Sequence, residues 1–220
     1  MVAQEKSNLK LSENIIIADA DYIDYVAFQL TVQFERMLGR RIPKADFSRW
    51  AMNVALDGGL RANGKPHETQ VVLVHDKSSR KLENFCPSDF ESELNAQAFN
   101  DEGLGEFLIN SYTVGDVVGK DDYITDLIHT ICEHEEVRRL MIIPNGEEGD
   151  IYDKVRHALR NVDEEKHITV FAMQPMQGGN FRQEILGYSM ISALGIKGEE
   201  IASPNPSEGG NLLFLPQMKK

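Results

Sequence analysis

Three consecutive isoleucines near the amino terminus constrain the fold of this 220-residue chain more than any other feature. Ile15, Ile16 and Ile17 are β-branched, and a strand covered on one face only would alternate apolar and polar residues. The run therefore predicts a central strand that is buried on both faces. Asp19 and Asp21 follow it directly, and strand residues two positions apart point to the same side. These two carboxylates should stand where ligands bind in open α/β sheets, at a strand end.

The rest of the chain alternates between predicted strands and predicted helices. Further strands are predicted at residues 69–76, 112–118, 139–144 and 167–173, with a short hairpin arm at 82–86. Helices are predicted at residues 25–38, 44–56, 87–98, 104–111, 120–136, 151–161 and 180–194. Such alternation indicates a mostly parallel sheet with helices on both faces. The predicted fold class is therefore α/β, a three-layer sandwich.

The predicted domain organisation is a single α/β domain over residues 14–200. Residues 1–13 are polar and predict a flexible amino terminus without the apolar core of an export signal. The helix predicted at 180–194 is apolar almost all round, which indicates burial against its own sheet or against a second subunit. A linker rich in Pro, Gly and Ser then leads to the apolar segment 211–216. We expect the tail, residues 201–220, to dock on its own or a partner subunit, so that the helix and tail form a homo-oligomer.

Charge and composition limit the classes of function. The chain has 35 acidic and 23 basic residues and a net charge of −12, which argues against general, charge-driven binding to nucleic acid. A metal-dependent enzyme acting on nucleic acid is still compatible, because a metal site needs carboxylates. No apolar run is long enough to cross a membrane, and two distant cysteines suit free thiols in a reducing cytoplasm. The sequence therefore predicts a cytoplasmic protein without a membrane partner.

One local cluster of basic residues has two interpretations. It is either a patch that faces phosphate groups or a solvated helix end, where cations complement the helix dipole. Its members are Arg36, Arg40, Arg41, Lys44 and Arg49.

The order of strands and acidic residues over about residues 14–173 resembles the PIN-like nuclease fold, and in particular its NYN branch. That family has an Asp at the end of the first strand, paired acids that open a later helix behind a lysine, and carboxylates after the next strand. The corresponding segments here are Ala18-Asp19-Ala20-Asp21, Lys120-Asp121-Asp122 with Asp126, and Asn145-Gly146-Glu147-Glu148-Gly149-Asp150. Over its whole length the chain is most similar to an uncharacterised bacterial family of unknown function, in which ADADYID and FRQEILGYS would recur.

The PIN/NYN resemblance implies a Rossmann-like core at residues 14–173, followed by a C-terminal helical extension at 174–200. It also implies hydrolysis of phosphodiester bonds in single-stranded RNA with Mg²⁺ or Mn²⁺ as the cofactor. Asp19, Asp21, Asp122 and Asp126 would be catalytic by this resemblance. Asp19, Asp122, Asp126 and Asp150 would be metal ligands. Asp122 and Asp126 are four residues apart, so they are neighbours on one face of a helix.

The sequence also departs from the NYN pattern. Tyr22 stands where the family has Asn, three residues after the first Asp. The loop after the third strand lacks the Ser/Thr-Gly-Asp-x-Asp turn, and the second acid pair is normally six residues apart. A second hypothesis is therefore a non-catalytic descendant of the fold that acts as a binding or assembly module.

Each candidate residue has a purely structural interpretation beside the functional one. Asp19 and Asp21 suit the start of a helix, where Asp is a favoured cap. Asp122 and Asp126 suit a first helical turn, where acids complement the dipole. The acids of the loop at 147–150 can serve solubility alone.

Two further patterns predict structure rather than chemistry. His129, Cys132 and His134 do not share one helical face, so they indicate a surface helix rather than a zinc site. The segment 177–180 lacks the full glycine fingerprint of an anion cradle. It predicts a tight turn in which Asn180 caps the following helix.

Overall fold

The computed structural model describes residues 11–115 and 118–202 of the chain. The strands are β1 (Asn14–Asp19), β2 (Ala45–Asp46), β3 (Glu68–Asp76), β4 (Phe85–Cys86), β5 (Gln97–Asp101), β6 (Gly105–Val114), β7 (Arg139–Ile143), β8 (His167–Ala172) and β9 (Arg182–Ile185). The helices are α1 (Ala20–Leu38), α2 (Phe47–Asp57), α3 (Lys120–Cys132), α4 (Ile151–Ala158), α5 (Leu186–Ala193) and α6 (Gly198–Ala202), with a π-helical turn at Phe90–Leu94.

Seven of the strands form one sheet in the order β5-β6-β3-β1-β7-β8-β9. All neighbouring pairs in this sheet are parallel except β5 and β6. The six parallel strands follow the doubly wound order, in which the direction of winding reverses between β1 and β7. The predicted α/β class with a mostly parallel sheet flanked by helices is therefore confirmed.

The central strand β1 supplies both hydrophobic cores. Ile16 and Ala18 pack on one side with the helices α1, α2 and α5, while Ile15 and Ile17 pack on the other side with α3 and α4. Every residue of β1 is buried. The absence of alternation in the isoleucine run thus reflects a layer of helices on each face of the sheet.

The first helix begins five residues earlier than the sequence predicted. The carboxylate of Asp19 accepts a hydrogen bond from the backbone N–H of Tyr22, which caps α1 directly at the end of β1. The helix ends at Gly39, which has a φ of 64°, a left-handed conformation that glycine adopts without strain. Strand, cap and helix therefore follow one another without a loop.

Two predicted helices between residues 87 and 111 are wrong. Asp89 caps only a short π-helical turn, because the backbone returns to an extended conformation at Asn95. The residues that follow form β5 and β6, with Phe107 and Ile109 buried on one side of the sheet. The run at 104–111 is short and apolar, and such runs do not distinguish a strand from a helix by periodicity. Of the strand predicted at 112–118, residues 112–114 form the end of β6.

Two further predictions need correction. The helix predicted at 180–194 is divided into β9, which pairs with β8, and the shorter helix α5. The predicted hairpin arm at 82–86 contributes β4, which pairs in parallel with β2 rather than back onto β3. Both errors have one cause, because strand pairing with a partner distant in sequence outweighs the local pattern.

Part of the predicted organisation lies outside the described residues. This applies to the amino terminus up to residue 10 and to the tail from residue 203, including the docking segment 211–216. Leu11 and Ser12, which do fall within the described part, are buried. In the described part of the chain, no helix has both the length and the apolar character needed to cross a membrane.

The close approach of α2 to the sheet at Gly58 gives a testable prediction. A Cβ added at Gly58 would overlap the side chain of Met141, which is fully buried in β7. We expect Gly58→Ala to lower the free energy of unfolding by about 1–3 kcal/mol through overpacking. Gly178→Ala is the matched control, because no neighbouring atom lies within 4 Å of a Cβ there. Urea denaturation measures both variants, and equal stabilities would contradict the close contact.

Candidate functional site

Four charged side chains from four elements meet at the carboxyl edge of the sheet. Asp19 ends β1, Asp21 lies in the first turn of α1, Asp76 ends β3 and Lys120 opens α3. The edge adjoins the point where the winding of the sheet reverses, which is where ligands bind in doubly wound proteins. We refer to these four residues as the Lys120 cluster.

The ammonium of Lys120 is the centre of this cluster. Its Nζ atom lies 2.7 Å from Asp21 Oδ2, 3.0 Å from Asp19 Oδ1 and 3.2 Å from Asp76 Oδ2. The side chain of Asp19 is only 2% exposed and that of Lys120 15%, whereas that of Asp76 is 55% exposed. The cluster therefore extends from the protein interior to the surface. It sets three carboxylates against one ammonium.

Asp21 is the most fully bonded member of the cluster. One of its oxygens accepts hydrogen bonds from Lys120 and from the backbone N–H of Asp76, at 2.7 and 2.9 Å. The other accepts from the hydroxyl of Ser79. These contacts tie the start of α1 to the loop that follows β3.

Burial and hydrogen bonding give the two buried carboxylates opposite protonation behaviour. Burial raises the pKa of Asp19 above its ordinary value, despite the opposing charge of Lys120. Burial also acts on Asp21, but the hydrogen bonds from Lys120, Ser79 and Asp76 outweigh it and lower its pKa. Burial would lower the pKa of Lys120, yet the charges of Asp19 and Asp21 raise it well above the usual range. The two carboxylates thus favour the charged form of Lys120.

Asp122 and Asp150 belong to a second, more exposed group. Lys154 Nζ lies 2.9 Å from Asp122 Oδ1 and 3.3 Å from Asp150 Oδ1. These two carboxylates are 61% and 70% exposed, so their ion pairs contribute little to stability. The side chain of Asp126 is exposed on α3, and no described residue pairs with its carboxylate. The structure thus brings Asp19 and Asp21 together but places Asp122 and Asp150 in another group and Asp126 in neither.

Tyr22 contributes a buried hydroxyl next to the Lys120 cluster. The residue is 3% exposed, and its hydroxyl has no hydrogen-bond partner among the described residues. Burial and the negative charges of Glu147 and Asp19 raise the pKa of Tyr22 above its ordinary value. Glu147 lies in the loop after β7, so that loop and the end of β1 both act on the pKa of Tyr22.

The sequence did not predict Asp76 and Ser79 as site residues. In the sheet, Asp19 pairs with Val74, so Asp76 extends beyond the end of β1 by two residues. This register is what brings Asp76 to the cluster. The only signal in the sequence was that polar residues follow a second buried strand. For Lys120, the sequence offers only its position before two acids.

A cavity of about 670 Å³ lies beside the cluster. Asp76 and Lys120 contribute to its wall, so two members of the cluster face space that a ligand can enter. The other lining residues are Lys77, Ser78, Val114, Gly115, Val118 and Gly119.

The chemistry of the donors fits a divalent cation, but their present arrangement does not. Carboxylate oxygens are the ligands that Mg²⁺ and Mn²⁺ prefer. However, no three His, Cys, Asp or Glu side chains in residues 11–115 and 118–202 are grouped so that they could hold a metal ion. The ammonium of Lys120 fills the position at which the three carboxylates converge. A metal would therefore bind there only if Lys120 moved away.

Three of the other candidates from the sequence have structural partners. Arg40 pairs with Glu200 and Arg41 with Glu35, so this part of the basic cluster is engaged within the chain. The amide of Asn180 donates to the carbonyls of Leu159 and Val162. Asn180 thus binds backbone carbonyls just after the carboxyl end of α4. It does not cap a following helix, so the predicted cap is wrong.

Comparison with known proteins identifies the family of the chain. The model of a family of unknown function, DUF6621, matches residues 8–201, and the chain belongs to this family. The predicted similarity to a family of unknown function is thereby confirmed. Neither the curated proteins nor the solved structures give a match. None of these comparisons supports the resemblance to PIN-like nucleases, which stays a prediction.

The lowered pKa of Asp21 predicts a pH-dependent contribution to stability. Its ionised form stabilises the fold above the unfolded-state pKa of about 3.9, and this contribution is lost as the pH falls through the folded-state value. We expect Asp21→Asn to cost about 2 kcal/mol at pH 7. The cost should shrink as the pH is lowered below about 4. Urea denaturation at neutral and at acidic pH measures this loss in the free energy of unfolding.

Asp126→Asn is the control for this experiment, because the carboxylate of Asp126 is exposed and makes no hydrogen bond or ion pair with the described residues. Its stability should match that of the unmodified protein at both pH values. A cost for Asp21→Asn that is independent of pH would show that the charge of Asp21 does not contribute.

Proposed function

We propose that this protein hydrolyses phosphodiester bonds in single-stranded RNA with a divalent cation, at the Lys120 cluster. The observation that carries the proposal is the convergence of three carboxylates from separate elements on one cationic atom. This convergence lies at the carboxyl edge of a doubly wound sheet and beside a cavity.

The charge balance of the cluster favours a cation of higher charge. Asp19, Asp21 and Asp76 carry three negative charges against the single positive charge of Lys120. The side chain of Lys120 has a flexible four-carbon stem, and its residue lines the cavity. An ammonium on such a stem can leave the carboxylates and remain at the same edge of the site.

Each residue then has a defined part in the reaction. Asp19, Asp21 and Asp76 would hold the Mg²⁺ or Mn²⁺ ion once Lys120 is displaced, and the chemistry that such an ion would supply is polarisation of the phosphate and a water molecule of lowered pKa. The N–H of Tyr22 holds the carboxylate of Asp19 in position, as Ser79 and the Asp76 N–H do for Asp21. Lys120, displaced into the cavity, would donate to a phosphate oxygen and neutralise part of its charge.

This ligand set differs from the one that the sequence indicated. Asp76 takes the place that the resemblance gave to Asp122 and Asp126, because Asp76 reaches the common point and Asp126 is on the outer face of α3. Asp150 is held by Lys154 in the neighbouring exposed group.

The charge of the molecule argues against a long duplex as the substrate. An acidic protein with a net charge of −12 does not attract a long duplex by counterion release. Lys77 and Lys120 line the cavity, so a short stretch of single strand would contact cationic side chains there. We therefore expect weak binding that depends on the divalent cation more than on surface charge.

Metal binding and cleavage test the proposal together. We expect millimolar Mn²⁺ to raise the melting temperature and to support cleavage of a fluorogenic single-stranded RNA. Asp19→Asn and Asp76→Asn should lose both effects, because each removes a proposed ligand. Asp126 lies on α3, the helix that Lys120 opens, but outside the cluster. Asp126→Asn should therefore retain both the rise in melting temperature and the cleavage.

A Lys120→Ala variant distinguishes a metal site from a permanent ion-pair network. Without metal, this variant should be less stable than the unmodified protein, since three carboxylates lose their common partner. For a metal site, Mn²⁺ should restore the lost stability and bind the variant more tightly than the unmodified protein. For a non-catalytic network, Mn²⁺ should change the melting temperature of neither the variant nor the unmodified protein, and no RNA should be cleaved. That result would show that the proposed function is wrong.

A further inference from the structure

The first helix has a line of exposed apolar side chains on its outer face. Tyr25 is 54% exposed, Phe28 48% and Val32 38%. They are separated by three and four residues, so they lie on one stripe along α1. Single exposed apolar residues are ordinary on a protein surface, whereas contiguous apolar patches are typical of interaction sites. We refer to these three residues as the α1 stripe.

The described chain ends close to this stripe. Glu200 of α6 accepts from the guanidinium of Arg40 at 2.7 Å, and Arg40 follows directly after the end of α1. The chain from residue 203 onward therefore starts near the carboxyl end of α1. It begins with a linker of Pro, Gly, Ser and Asn and reaches the apolar segment Asn211–Pro216.

The length of this linker matches the distance to the stripe. Extended residues span about 3.3 Å each, so residues 203–210 reach about 26 Å. An α-helix rises about 1.5 Å per residue, which places Val32 about 10 Å and Tyr25 about 20 Å from the end of α1. The apolar segment, with Leu212 to Leu215, can therefore lie along the whole stripe.

We propose that residues 211–216 dock on the α1 stripe of the same molecule. A short linker gives the segment an effective concentration in the millimolar range, which favours docking within the chain over association with a second copy. The segment would bury Leu and Phe side chains against Tyr25, Phe28 and Val32. The docking contact does not rest on the proposed function, because Tyr25, Phe28 and Val32 lie outside the Lys120 cluster.

Charge complementarity supports the direction of docking. A segment that leaves the carboxyl end of α1 and follows the stripe runs toward the amino end of the helix. The last residues of the chain, Lys219 and Lys220, would then approach the edge where Asp21 and Asp76 lie. Three carboxylates face one ammonium there, so the two lysines would meet an excess of negative charge.

A pair of engineered cysteines tests the contact in the full-length chain. The native thiols are first replaced by Cys86→Ser and Cys132→Ser, and Phe28→Cys is then combined with Leu213→Cys. The control combines Leu213→Cys with Asp126→Cys, which lies on α3 at the opposite face of the sheet. We expect mild oxidation at low micromolar protein to form an intramolecular disulfide at least ten times faster in the first pair. Equal rates, or disulfides only between two molecules, would overturn the proposal.

Thermal melting gives a second readout that needs no cysteine. Phe28→Ser and Phe214→Ser should each lower the melting temperature by about 2–4 °C. The double variant should melt no lower than the less stable single variant, since both changes remove one contact. Tyr188→Ser is the matched control, because Tyr188 is 43% exposed on α5 and lies outside the stripe. Its effect should add to that of Phe214→Ser. Additive effects of Phe28→Ser and Phe214→Ser would contradict the docking.

Discussion

The burial of β1 on both faces is the constraint on which the rest of the structure depends. The side chains of β1 alternate between the two cores on the two faces of the sheet. Because β1 also pairs with both β3 and β7, its register fixes both neighbours. The register of β1 against β3 places Asp76 beyond the end of β1, within reach of Lys120. The chemistry at the carboxyl edge is therefore a consequence of how three apolar strands align.

Electrostatics at this edge divides the carboxylates into a buried and an exposed set. Asp19 and Asp21 both lose hydration. Lys120 and nearby hydrogen bonds outweigh this loss at Asp21, whose pKa is lowered, but not at Asp19, whose pKa is raised. Asp122 and Asp150 keep most of their hydration, so their pairing with Lys154 is weak. Removal of one partner is accordingly costly in the first set and of little effect in the second. The Lys120 cluster is therefore the part of this edge in which the charged groups are held in a fixed arrangement.

The helix α1 connects the candidate site with the rest of the surface. Its amino end is capped by Asp19 and carries Asp21, its inner face packs on the sheet, and its outer face bears the α1 stripe. Its carboxyl end is joined to α6 by the pair of Arg40 and Glu200. The α1 stripe and Asp21 of the acidic edge therefore belong to the same helix.

The sequence by itself determined the central strand, the α/β class and the position of Asp19 and Asp21, because these features depend on long apolar runs and on a cap local to the chain. It did not determine β5, β6 and β9, whose short apolar segments suit a helix as well as a strand until a neighbouring strand pairs with them. It also could not show that Lys120 and Asp76 join Asp19, or that Asp126 does not. Those outcomes depend on strand register and on the direction in which α3 faces, and both are decided only when distant segments pack together.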